Sequence, residues 1–281
     1  AYEIAQCLVG SEMCIRDKDG APILLTRTEA LPELVEHKLR ELQPNNITIL
    51  GGDPFISEQV ITDIKRVCPS SNITAINENT EERVAYAVFC LGKNRGWSKK
   101  AILTYKEGLG DIICFLPYTY RQKIPLLFSV EAHTVADDVT EELNKSFSEI
   151  LLLGGQDVFE NNSLVKFNST KITRFCGKDP FDANEIINDW IEKEDNITES
   201  PFEAFLVPIW NPADILAAGP LTKERSCITL VEDTQNLDSV TRNLDAIISK
   251  KETLSKLVFF GDHTQFSELD KDLMVKALLN S

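Results

Sequence analysis

Apolar residues along this chain fall into two alternating patterns. Short runs such as Ile150–Leu153 and Leu257–Phe260 are apolar at consecutive positions and end at glycine. Consecutive rather than alternating apolar positions predict parallel strands covered by helices on both faces. Between the runs, apolar residues recur every three or four positions. Residues 31–42 place Leu34, Val35, Lys38, Leu39 and Leu42 on one mostly apolar stripe, with Pro32 at the start and Pro44 past the end. That pattern predicts an amphipathic helix. A second such helix carries Val135, Val139, Leu143 and Phe147, and a third is predicted over Glu58–Val67 after Ser57.

The alternation repeats. The stretch from Ala21 to Gly52 reads as strand, helix, strand, closed by Gly51-Gly52, and returns with Pro125 for Pro22 and Gly154-Gly155 for Gly51-Gly52 (125 − 22 and 154 − 51 are both 103). Ala101-Ile102-Leu103 and Ala204-Phe205-Leu206, Asp111 and Asp214, and Pro117 and Pro220 keep the same interval. A weaker third copy has Cys227–Val231 and Lys256–Phe260 as its strands. A repeat of about one hundred residues is long enough to bury a core of its own, unlike the short repeats of a solenoid. The sequence predicts three tandem Rossmann-like α/β modules with mainly parallel sheets: residues 18–70 (partial), 71–170 and 171–281 (diverged).

The carrying residues are Pro22-Ile23-Leu24-Leu25-Thr26, Leu31-Pro32, Ile47-Thr48-Ile49-Leu50-Gly51-Gly52 and Asp214-Ile215-Leu216-Ala217-Ala218-Gly219-Pro220-Leu221. Together they resemble the cell wall binding repeat 2 family from Lys18 to Ser281. The resemblance implies three Rossmann-like modules about a pseudo-threefold axis that hold a surface protein noncovalently to an anionic cell-wall polymer. It also implies that any wall-cleaving domain is a fused effector outside these residues. The third copy lacks both PILL and a paired glycine, which leaves open whether every module binds.

The start of the chain stands apart. Leu8–Asp17, LVGSEMCIRD, is what one reading frame of a transposon-type sequencing adapter encodes, so residues 1–17 are set aside as artefactual. The other reading of this run is a divergent first helix. The first module is accordingly expected to lack its opening strand and helix.

Composition narrows the partners. The 281 residues are 43% hydrophobic and 26% charged, with a net charge of −15. This charge argues against nucleic-acid backbones and bare anionic membranes. No run approaches the length of a membrane span. An anionic polymer would need a local basic patch, a bridging cation or recognition through sugar hydroxyls. Lys99-Lys100, Arg121 with Lys123, and Lys223 with Arg225 are candidate patches, each also readable as solvated surface. Cys68, Cys90, Cys114, Cys176 and Cys227 are widely spaced and mostly set in apolar runs, which suits buried thiols rather than a disulfide framework. Such thiols fit a cytoplasmic setting or a cell surface that shields them.

The candidate chemistry is sparse. Gly51, Gly52, Gly154 and Gly155 follow strands and precede helices, so backbone N–H groups there could cradle an anion. Against that, Asp53 and Asp157 stand close by, no G-x-x-x-x-G-K-[ST] or G-x-G-x-x-G is present, and glycine also serves a tight turn. Asp111 and Asp214 each precede a short apolar helix, where a carboxylate caps the helix or accepts sugar hydroxyls. His37, His133 and His263 occupy unrelated repeat positions, and no catalytic or zinc-binding spacing is readable. The reading is a non-enzymatic, cofactor-free module of the cell surface or wall that binds an anionic polymer. Its polymer-binding candidates are Gly51, Gly52, Gly154, Gly155, Asp111, Asp214, Arg121, Lys123, Lys223 and Arg225. The alternatives are a sugar- or nucleotide-binding enzyme on Rossmann-like modules and a protein–protein assembly module.

Overall fold

The computed structural model describes residues 24–53, 55–105, 108–129, 134–168, 170–195, 202–209, 226–231, 245, 248, 254–259 and 266–280. In chain order these form α1 (Glu33–Leu42), β1 (Asn46–Leu50), α2 (Glu58–Val67), β2 (Asn72–Ile76), α3 (Glu81–Asn94), β3 (Lys100–Thr104) and α4 (Leu109–Gln122). There follow β4 (Leu126–Phe128), α5 (Asp137–Ser146), β5 (Glu149–Leu153), a 3-10 turn (Asn161–Leu164), β6 (Lys171–Phe175) and α6 (Pro180–Glu194). The last elements are β7 (Phe202–Pro208), β8 (Ser226–Val231), β9 (Leu254–Phe259) and α7 (Glu268–Asn280).

The described strands make three sheets, ordered β1-β2, β4-β3-β5-β6 and β8-β7-β9. Every described pairing is parallel. This is the Rossmann-like α/β architecture expected from the strands. The middle sheet is the most complete. One of its faces puts Ile102, Leu151, Leu153 and Phe175 into one core, and the other puts Ala101, Leu103, Ile150 and Leu152 into a second. All five residues of β5 are buried. That is why consecutive apolar positions were needed there.

The repeat is visible in the register. β3 and β7 are the central strands of their sheets, flanked by β4 and β5 in one and by β8 and β9 in the other. β1 and β2 pair as β5 and β6 do, with Leu50 opposite Ile76 and Leu153 opposite Phe175. The sheets therefore span residues 70/71 and 170/171, where the sequence divisions fell: β2 belongs with β1, and β6 with β5. The strand expected over Pro22–Thr26 is not formed in its described part, residues 24–26. In the middle sheet its counterpart β4 bonds to β3 alone, and no described strand precedes residue 24 to play that part. Leu24 and Leu25 still pack against the first core. Residues 1–17 lie outside the described residues.

Two helices join sheets rather than serving one. α3 places Val84 and Val88 with Leu50 and Ile76 of the first sheet, while Phe89 enters a core of the middle sheet. α6 is capped by the Asp179 carboxylate, which accepts from the N–H groups of Phe181 and Asp182 at 2.9 Å each. It lies between β6 and β8, with Ile187 and Ile191 in a core shared by Phe175, Phe205, Ile228 and Leu230. Trp190 of α6 packs against Phe115, Tyr118 and Phe175 with centroids 5.9, 5.1 and 5.2 Å apart.

Candidate functional site

In the order β4-β3-β5-β6 the direction of strand addition reverses between β3 and β5, and a parallel α/β sheet opens its crevice there, beyond the strands' C-terminal ends. The β3 side supplies Thr104, Tyr105 and Gly108, which is the N-cap of α4. The β5 side supplies Gly154, Gly155 and the loop to Phe159. The Tyr105 ring meets Phe159 edge-on at 6.3 Å. Its Cε1 stands 3.2 Å from where a Cβ on Gly154 would be. The Thr104 hydroxyl is buried here and has no hydrogen-bond partner among the described residues.

The paired glycines divide their labour. Gly51 (φ 102°) and Gly154 (φ 128°) lie where side chains are strained, and their N–H groups continue the ladder to the carbonyls of Ile76 and Phe175, both at 3.0 Å. Neither of these N–H groups is open to an anion. The second glycines differ. Gly52 N–H donates to the Glu78 carbonyl at 3.2 Å, whereas Gly155 N–H has no acceptor among the described residues, and nor do those of Gln156 and Asp157. In the first copy the position after Asp53 is Pro54, which has no N–H to offer.

Arg174, on β6, was not among the residues singled out by sequence. Its Nη1 donates to the carbonyls of Gly154 (3.0 Å) and Gly155 (2.5 Å), and its Nη2 to the Phe159 carbonyl (2.7 Å) and Asn161 Oδ1 (3.5 Å). The register puts Arg174 opposite Leu152 as it puts Ala75 opposite Ile49, so the first copy has a methyl where this one has a guanidinium. A cation in a strand whose counterpart carries alanine was the signal in the sequence.

Asp111 stands in the first turn of α4 and is not the cap, because Gly108 takes that position. Burial pushes its carboxyl up to about 6. The adjacent Gly110 lies against the start of α6 and the end of β7: a Cβ there would lie 3.5 Å from Pro180 Cβ and 4.0 Å from Ile209 Cδ1. Arg121 is not a surface cation. Its side chain is 10% exposed, pairs with Asp195 of similar burial, and donates to the Ser226 carbonyl at 3.2 Å. It belongs to the junction between α4, α6 and β8, so its availability to polymer, expected from sequence, is not met. Lys123 is exposed and ends α4 in a left-handed conformation (φ 54°). Asp214, Lys223 and Arg225 lie outside the described residues.

Lys100, half of another candidate patch, is likewise committed. Its ammonium contacts Glu194 at 2.6 Å and Glu149 at 3.4 Å, and lies 5.1 Å over the Trp190 ring. Burial works to lower its basicity, but the bonds to Glu194 and Tyr118 and the Glu149 charge outweigh it and raise it. His37 is exposed on α1, and His133 and His263 lie outside the described residues. Among the described residues no three metal-binding side chains gather, and no helix is long and apolar enough to cross a membrane.

A scan against protein-family models finds no match. The chain is similar to the N-acetylmuramoyl-L-alanine amidase LytC of Bacillus subtilis (strain 168). The two are 24% identical over 229 residues, covering 80% of this chain and 43% of the relative. The amidase enhancer of the same organism is 27% identical over 113 residues, 40% of this chain and 15% of the enhancer. Among solved structures, Cwp6 from Clostridium difficile superposes with a TM-score of 0.79 at 17% identity, over 98% of this chain and 42% of that one. At that identity the likeness shows the fold. The chain spans less than half the length of each of these proteins.

Proposed function

We propose that these residues attach a protein noncovalently to the cell wall by binding an anionic wall polymer. The observation that carries this reading is what the matched relatives share. LytC is by name an N-acetylmuramoyl-L-alanine amidase, and the other relative is an amidase enhancer. A segment common to a wall enzyme and to an enhancer of such enzymes fits a shared place of action better than a shared catalytic step. The cell surface or wall is then the setting, and catalysis belongs to other segments.

The geometry supports the same reading. The crevice beyond β3 and β5 offers backbone N–H groups at residues 155–157 and a buried hydroxyl at Thr104. The test is co-sedimentation with purified Bacillus subtilis walls, before and after hydrofluoric acid removes the phosphodiester polymers. Binding that is lost on stripping is the expected result. A folded chain that stays in the supernatant with intact walls overturns the proposal.

A further inference from the structure

The two glycine-closed loops are equivalent in the repeat but not in chemistry, and Arg174 is the difference. Resting on the wall-polymer reading, we propose that Arg174 is the positioning residue that makes the loop 154–159 an acceptor site for an oxyanion of the polymer, while the loop 51–55 lacks that capacity.

The argument begins with the peptide unit. In a trans peptide the C=O and the following N–H point in opposite directions. Arg174 draws the carbonyls of Gly154 and Gly155 toward its guanidinium. The N–H groups of Gly155 and Gln156 belong to those same peptides and therefore point away from it. Neither finds an acceptor among the described residues, and neither does that of Asp157. Consecutive unsatisfied N–H groups in a turn make an anion-binding concavity. Gln156 and Asp157 are exposed, so the concavity is reachable from solvent.

Charge completes it. The four acceptors of Arg174 are three carbonyls and an amide oxygen, all neutral. Among the described residues no carboxylate pairs with the guanidinium, so its charge is left to act through the loop. In a chain of net charge −15 such a local cation is what an anionic ligand requires. Opposing it is Asp157, whose Oδ1 occupies the space that a Cβ on Gly155 would need. In the first copy only the Asp53 N–H is left without an acceptor among the described residues. Ala75 replaces Arg174, Gly52 N–H is spent on Glu78, and Pro54 has no N–H.

Two substitutions of opposite sign test the assignment, with binding to intact Bacillus subtilis walls measured by co-sedimentation at about 0.15 M salt. Arg174→Gln is expected to weaken binding at least about tenfold, the scale of a lost charge-assisted contact. Arg174→Lys restores part of it. Asp157→Asn removes the nearby like charge and is expected to strengthen binding about threefold, a gain that no merely structural role of the loop predicts. Hydrofluoric-acid-stripped walls separate the sources of the oxyanion: residual Arg174-dependent binding there points to carboxylates, and its loss to phosphodiesters. Wild-type binding unchanged by either substitution overturns the assignment and leaves the wall-polymer reading standing. Absence of wild-type binding sinks that reading itself. If Arg174→Gln does not fold, Asp157→Asn decides alone, and no gain counts against the assignment.

Discussion

Asp111 carries a charge at a cost. Its carboxyl titrates near 6 because burial disfavours the ionised form, whereas in the unfolded chain it titrates near 3.8. The native state therefore holds its proton more tightly, so this group's contribution to stability falls as pH rises from about 4 to about 6 and is constant above. Asp111→Asn is expected to stabilise the protein by about 1–2 kcal/mol at pH 7.5. The gain should vanish near pH 4, as urea titrations at the two pH values would read. An equal gain at both would assign the effect to something other than the charge. Gly154 gives the opposite lesson. With φ at 128° and three side chains within 3.3 Å of a would-be Cβ, Gly154→Ala is expected to cost about 2–3 kcal/mol. At Gly96, where φ is 74° but the space is open, alanine should cost only about 1 kcal/mol. Comparing thermal midpoints of the two variants separates backbone strain from crowding. The glycines were legible as turn residues in the sequence. Which of their N–H groups remain open was not, because that depends on the partner strand's carbonyls.

α6 acts as an element through amides set into the edge of another sheet. Among the described strands β8 is an outer one of its sheet, and Asn184 treats it as a neighbouring strand would: its Nδ2 donates to the Ile228 carbonyl at 2.8 Å and its Oδ1 accepts from Leu230 N–H at 3.0 Å. Asn188 adds a second donor to the Ile228 carbonyl at 2.9 Å. Asn184→Leu leaves the Leu230 N–H buried without that acceptor and is expected to cost about 2–3 kcal/mol, read by urea unfolding. Beside it, Arg121 and Asp195 form a pair in which each side chain is about nine-tenths buried. Arg121→Met alone strands a carboxylate and should cost about 3–5 kcal/mol, while the double change Arg121→Met with Asp195→Leu should cost much less. A double variant as unstable as the single one would show that the guanidinium's bond to Ser226, rather than the ion pair, dominates. Helix periodicity predicted α1 and α2 well, since their apolar stripes meet their own sheets. It could not assign Arg121 or Asn184 to a junction, because polar residues on a helix read as solvent-facing until a second sheet is packed against them.

At the scale of the whole molecule the repeat interval did most of the predictive work. It aligned β3 with β7 and β1 with β5 correctly, because an α/β unit copied whole keeps its register even where residues diverge. It placed the divisions a strand too early, since β2 and β6 read as the start of a new copy although they hydrogen-bond backward. The same scale sets how charge must act on binding. With a net charge of −15, the protein as a whole repels an anionic polymer, while the contact proposed at the loop 154–159 would attract it within a few ångströms. Screening separates the two by distance. At about 0.01 M salt the Debye length is about 30 Å, comparable to a domain, so repulsion from the whole surface is felt; at about 0.15 M it is about 8 Å, and close contacts outlast it. Wall binding is therefore expected to rise between about 0.01 and 0.15 M sodium chloride and to fall again toward about 1 M. A protein held by a broad basic face would bind best at the lowest salt and weaken steadily. Sedimentation across that series distinguishes the two, and a steady decline would mean that attraction is spread over the surface rather than confined to one loop.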